Sequence, residues 1–196
     1  MPIANYFSKY PFHQGDHLSG TGVPQASGGM CLMLAINWLL RIGEEGDSSV
    51  GALSWISSNK HILKQIAGQQ RFYSSEDFYT SFAPMVKLAS NGRYIAGGLD
   101  RFTLSDVSSV ISGRINGRGL KLYLCWFLCR GGAHAIGFAI DKFGVCSIFD
   151  PNYGVCVIRE NFSGNIEGAG LYGILISELQ FNYRIDSGEI IELWKV

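Results

Sequence analysis

A cysteine, a histidine and an aspartate in this chain have the residue types of nucleophilic catalysis, and each stands in a local sequence suited to its part. Cys31 lies in QASGGMCLMLAINWLL, residues 25–40, where a glycine-rich turn runs into a strongly apolar helix. The first backbone N–H groups of a helix lack internal partners and their summed dipole favours negative charge, so a thiol at that end is held more readily as thiolate. A thiolate nucleophile needs a base to carry its proton and a carboxylate to orient that base. His134 opens one apolar run and Asp150 closes the next in KLYLCWFLCRGGAHAIGFAIDKFGVCSIFDPNYG, residues 121–154. Gly131, Gly132 and Ala133 leave open space beside the histidine. Taken singly, these residues read as a small core hydrophobe, a core histidine and a turn aspartate. Their combination and order predict a Cys-His-Asp site.

The elements that must position these groups follow from the patterning. Residues 134–150 read as two strand-like runs joined at Lys142, Phe143 and Gly144, a β-hairpin whose open end brings His134 and Asp150 together. Leu32 to Leu40 leave almost no polar face, which predicts a helix buried on all sides and ending near Gly43. From Asp47 to Ser90 the pattern is helical with interruptions, with Pro84 starting or kinking a turn, and Ser105 and Asp106 cap a short helix over SDVSSVISGRI. After the glycine-rich break NGRG, the runs KLYLCWFLC, HAIGFAID, GVCSIFD, GVCVIRE, GILISEL and EIIELWKV have the register of an antiparallel sheet.

These elements predict one α+β domain over residues 1–196. It has a surface N-terminal segment (1–24) without periodicity or clear chemistry, a mainly helical part (25–120) and a mainly β part (121–196). The site falls between the halves, the layout of papain-like enzymes. Phe72, Tyr73, Phe78 and Tyr79 are read as core packing first and as groove lining second.

Composition narrows the function classes. Apolar residues make up 47% and charged residues only 16%, against roughly 25% charged in an average soluble protein, so the chain is globular and part of its surface is uncharged. Formal charge is +0 with no run of lysines or arginines, which argues against a nucleic-acid partner. The apolar stretches from Met30 to Leu40 and from Leu122 to Cys129 are too short to span a bilayer and no secretory signal precedes them, so no transmembrane segment is expected. Five cysteines, an odd number at low density, point to reduced thiols in a cytosol, with Cys125, Cys129, Cys146 and Cys156 as small apolar residues. His13, Asp16 and His17 are closely spaced but read as a solvated loop and not a metal site, and His61 has no assigned role.

The blocks GGMCLMLAINWL, GGAHAIGFAI and FDPNYG, in this order and spacing, resemble the YopT-type cysteine proteases, bacterial effectors with a papain-like fold. The resemblance covers roughly residues 25–155. It implies Cys31 as nucleophile, His134 as general base and later acid, Asp150 as orienting carboxylate, and no metal or organic cofactor. It also implies an oxyanion hole from the Gln25 amide and the Cys31 N–H, because papain-like enzymes place an amide side chain six residues before the nucleophile, where Gln25 stands. The implied function is a thiol endopeptidase delivered by a bacterium into a host cell, acting in the host cytoplasm or at its membrane surface. The implied substrate is a host protein such as a prenylated small GTPase or a kinase. The same triad would serve a deamidase or transglutaminase acting on a protein glutamine, and a non-catalytic binding module on the same scaffold is a further reading.

Overall fold

The computed structural model of the chain describes residues 7–18, 30–73, 82–107, 109–110, 119–130, 132–141, 145–158 and 182–196. A short strand β1 (Phe7–Tyr10) and a short helix α1 (Gln14–Leu18) precede four longer helices: α2 (Cys31–Glu45), α3 (Ser49–Ser58), α4 (Lys60–Tyr73) and α5 (Phe82–Ala89). The strands β2 (Tyr94–Thr103), β3 (Lys121–Cys129), β4 (Gly132–Ile140), β5 (Cys146–Asp150), β6 (Gly154–Ile158) and β7 (Ile185–Lys195) complete the chain.

The strands form one seven-stranded sheet in the order β1-β6-β5-β4-β3-β7-β2, with antiparallel pairing between all neighbours. Its centre is the meander β3 to β6 expected from the C-terminal half. Both edges, β1 and β2, come from the N-terminal half. Residues 7–10 therefore pair with β6, and the expected featureless surface segment is partly sheet and partly helix. The expected run GILISEL lies outside the described residues, as does the turn at Lys142 to Gly144.

Helix α2 lies against one face of this sheet. Leu32 to Ile36 and Trp38 to Leu39 are fully buried and pack with Leu122, Leu124, Ala135, Ala139 and Phe149 from the strands. The opposite face buries Tyr123, Cys125, Phe127, Ile136, Phe138 and Ile148. With both faces covered, β3 and β4 need apolar residues at nearly every position, which is why they read as continuous apolar runs and not as alternating ones. Burial of side chains of this size stabilises by about 1.5–3 kcal/mol each, whereas a helix N-cap contributes about 1 kcal/mol. Packing therefore holds α2, whose N-cap residue Met30 makes no side-chain capping bond.

The helix passes Gly43 and ends one turn later at Gly46, which adopts φ 67° and donates its N–H to the Ile42 carbonyl (3.1 Å). Gly43 serves close packing instead of capping, because a Cβ there would crowd the Tyr94 hydroxyl and Leu122. Gly154, at φ +98°, opens β6 where a Cβ would strike the Tyr10 carbonyl and the backbone at Pro11 and Phe12. That contact presses the N-terminal segment onto the turn following Asp150. Among the described residues no helix is long and apolar enough to cross a membrane.

Candidate active site

Cys31 is the first residue of α2 and is 6% exposed. The donors on either side of it are taken by amide side chains from other helices. The Met30 N–H donates to Gln14 Oε1 (2.9 Å) and the Met33 N–H donates to Gln70 Oε1 (3.1 Å). Gln70, on α4, is itself buried. The Cys31 N–H stands between these two, in the turn where no intrahelical carbonyl is available and the positive end of the helix dipole faces the thiol.

His134 sits on β4 opposite Phe127 of β3, whose ring it meets edge-on at 5.5 Å. The β4–β5 register pairs Gly137 with Phe149, and continuing it sets Ile136 opposite Asp150, with His134 two residues further along the same face. At that diagonal, His134 Nε2 and Asp150 Oδ1 are 3.0 Å apart, and both side chains are about 6% exposed. The expected pairing of the two strands therefore brings the imidazole and the carboxylate together. With Nε2 on Asp150, Nδ1 is the ring nitrogen left for a second partner, and Cys31 is near enough to raise the pKa of the same ring.

Burial works against a charge on this imidazole, but the hydrogen bond to Asp150, and then the one to Cys31, outweigh it and push the His134 pKa up to about 9. A neutral thiol and neutral imidazole would gain little from this arrangement. A thiolate and an imidazolium gain from every part of it.

Two residues complete the carboxylate's surroundings. Asp150 Oδ1 also accepts the Asn152 backbone N–H (2.8 Å), and the Tyr183 hydroxyl lies 3.1 and 3.0 Å from Oδ1 and Oδ2. The Tyr183 ring stacks on the His134 imidazole at 4.6 Å with an interplanar angle of 19°. Burial, followed by the charge of Asp150, pushes the phenol well above its ordinary range, so Tyr183 stays a donor at every working pH. Asn152 stands in the turn directly after Asp150, and Tyr183 stands in FNYRID just ahead of β7 with no motif around it, so its sequence carries no signal of a role. Gln14, in a segment without periodicity, carried no signal either.

Gln25 lies outside the described residues. His13 and Asp16 approach only to 3.7 Å on an exposed surface, while His17 stacks on Phe12 at 4.4 Å. Among the described residues no group of three or more His, Cys, Asp or Glu could hold a metal ion. His61 is exposed near the start of α4, and Phe78 and Tyr79 lie outside the described residues. Cys125 is fully enclosed and its thiol is pushed strongly upward by burial, the environment of an inert core residue.

No family model matches the chain, and no curated protein matches it by sequence. Solved structures do match. The Pseudomonas avirulence protein AvrPphB superposes with a TM-score of 0.59 at 14% identity, covering 90% of this chain and 99% of that one. PatoxP, a cysteine protease-like domain of the Photorhabdus asymbiotica toxin PaTox, superposes with a TM-score of 0.54 at 13% identity, covering 97% of this chain and 55% of that one. The chain has the papain-like cysteine protease fold that its sequence predicted.

Proposed function

We propose that this chain is a thiol endopeptidase of the bacterial effector type, with Cys31 as nucleophile, His134 as general base and acid, and Asp150 as the orienting carboxylate. The observation that carries this reading is the buried pair of His134 Nε2 and Asp150 Oδ1 at 3.0 Å, with Cys31 at the start of a buried helix near enough to raise the pKa of that imidazole. The neighbours' printed identities, an avirulence protein and a cysteine protease-like toxin domain, support a protease-type effector.

In this mechanism the Cys31 thiolate attacks a peptide carbonyl, and the imidazolium protonates the departing amine from Nδ1. Water then enters, the neutral imidazole accepts its proton, and the acyl group leaves as a carboxylic acid while the thiolate–imidazolium pair re-forms. Asp150 keeps its charge throughout and fixes the ring so that Nδ1 faces the sulfur. The oxyanion is held by the Cys31 N–H together with the Gln25 amide, each such donor worth roughly 3 kcal/mol in the transition state. The substrate class is a host protein, with a prenylated small GTPase and a kinase as the first candidates.

Mass mapping of candidate host proteins after incubation with the native chain and with Cys31→Ala tests this reading. New fragments that depend on Cys31 are expected. Intact substrates with a mass gain of about one unit would instead assign a glutamine deamidase, since the same acyl-enzyme chemistry needs only an attackable carbonyl.

A further inference from the structure

The hydrogen bonds around Asp150 extend into a ring that returns to the nucleophile. The backbone N–H of Met30 can only donate, so the Gln14 atom it meets at 2.9 Å is the carbonyl oxygen Oε1. The other end of that amide is then Nε2, which donates to Asn152 Oδ1 at 2.7 Å. Asn152 is oriented in turn, and its Nδ2 donates to Tyr183 Oη at 3.1 Å. A hydroxyl that accepts from Asn152 keeps its own proton for Asp150, which also receives His134 Nε2. Cys31, the residue after Met30, is near enough to His134 to raise its pKa, so both ends of the run lie at the start of α2. From Met30 to Tyr183 the donors run one way and end on Asp150, where they meet the donation from His134 on the other side; the direction of that run is set by one backbone amide.

We infer that Gln14, Asn152 and Tyr183 are positioning residues that lock the Asp150–His134 pair against the start of α2, which makes the N-terminal segment part of the catalytic apparatus. The inference rests on the triad reading proposed above. Tyr183 acts through both its hydroxyl, which fixes the plane of the carboxylate, and its ring, which covers one face of the imidazole at 4.6 Å. Gln14 acts at a distance, by orienting Asn152 and therefore the Tyr183 proton. Its own backbone N–H is anchored on the Pro151 carbonyl at 2.7 Å, and β1 pairs with β6 beside it, so the amide is carried on a fixed support. Such one-way chains polarise their members and couple residues that do not touch.

The test is a titration of the four histidine rings by NMR in the native chain, Tyr183→Phe, Gln14→Met and the double variant, with His13, His17 and His61 as internal references. Tyr183→Phe keeps the stacked ring and removes only the donor, and Gln14→Met keeps the chain length and removes both amide contacts. The native His134 is expected to titrate far above the three references. In Tyr183→Phe its midpoint falls by about one pH unit as the carboxylate turns away from the ring. Gln14→Met lowers it by a smaller amount, and the double variant falls no further than Tyr183→Phe alone, the signature of residues acting in series. An unchanged or raised midpoint in Tyr183→Phe, or shifts that simply add, would overturn the positioning role while leaving the triad intact. A native His134 that titrates with the references would instead remove the triad reading itself, and the positioning role with it.

Discussion

The two ends of α2 both carry ionisable groups, and they are arranged in opposite ways. At the C-terminal end, Glu44 places a negative charge at the negative pole of the helix, burial raises its pKa, and Arg93 opposes that shift through a 2.7 Å ion pair. Its other oxygen, Oε1, is buried without a hydrogen-bond partner among the described residues. A pocket of about 390 Å³ lies beside it, lined by Glu44, Glu45, Asp47 and Asp141. The pocket's hydroxyl, Ser48, is occupied as the N-cap of α3, accepting the Gly51 N–H at 3.1 Å. At the N-terminal end, the thiol sits at the favourable pole, and both oxygens of the Asp150 carboxylate beside His134 are bonded. The two ends thus differ in how far their buried polar atoms are satisfied.

The comparison breaks most visibly in turnover. Cys31→Ala is expected to lower cleavage of a mapped substrate by about 10⁴-fold or more while unfolding as the native chain does, because a small buried side chain is replaced by another. Glu44→Gln, at the other end of the same helix, is expected to leave cleavage within about twofold. Equal losses would mean that the helix and not its N-terminus is what matters.

The pH dependence of stability sharpens the contrast. His134 has a folded pKa raised from 6.5 to about 9, so its stabilising contribution is complete below about pH 6.5 and is lost as the pH rises through about 9. The urea midpoint of the native chain should therefore fall between pH 6.5 and pH 9.5. Asp150→Asn removes the main support of the imidazolium, and its midpoint should change less over the same interval.

A smaller effect is expected at the clamp between the N-terminal segment and the Asp150 turn. Gly154→Ala forces a non-glycine residue to φ +98° and drives a Cβ into the Tyr10 carbonyl, at a cost of about 2 kcal/mol. Urea unfolding reads that cost, and lifting of the Gln14 support should also slow Cys31 alkylation. The smallest effect is expected at the far end, where Glu44→Gln exchanges an ion pair with half-exposed Arg93 for an amide and should change stability by no more than about 1 kcal/mol.

What the sequence made legible was set by burial. Cys31, His134 and Asp150 adjoin long apolar runs, and those runs had to be a buried helix and central strands, so their ends could be located. The edge strands escaped for the opposite reason. The four residues of β1 are too few to show a period, and β2, YIAGGLDRFT, carries two glycines and a register shift between Gly97 and Asp100 that erase alternation. Gln14 and Tyr183 escaped because hydrogen bonds between residues 138 and 31 positions apart leave no trace in either local sequence. Gly43 misled because a glycine required for helix–sheet contact looks the same as one that ends a helix.

The most direct test of the account is the pH profile of Cys31 alkylation in the native chain and in His134→Ala, followed by mass spectrometry with the four other cysteines as internal controls. The account predicts that Cys31 reacts well below pH 7 while the others do not, and that this advantage disappears with His134. Slow labelling of Cys31 at low pH, unchanged by His134→Ala, would contradict it.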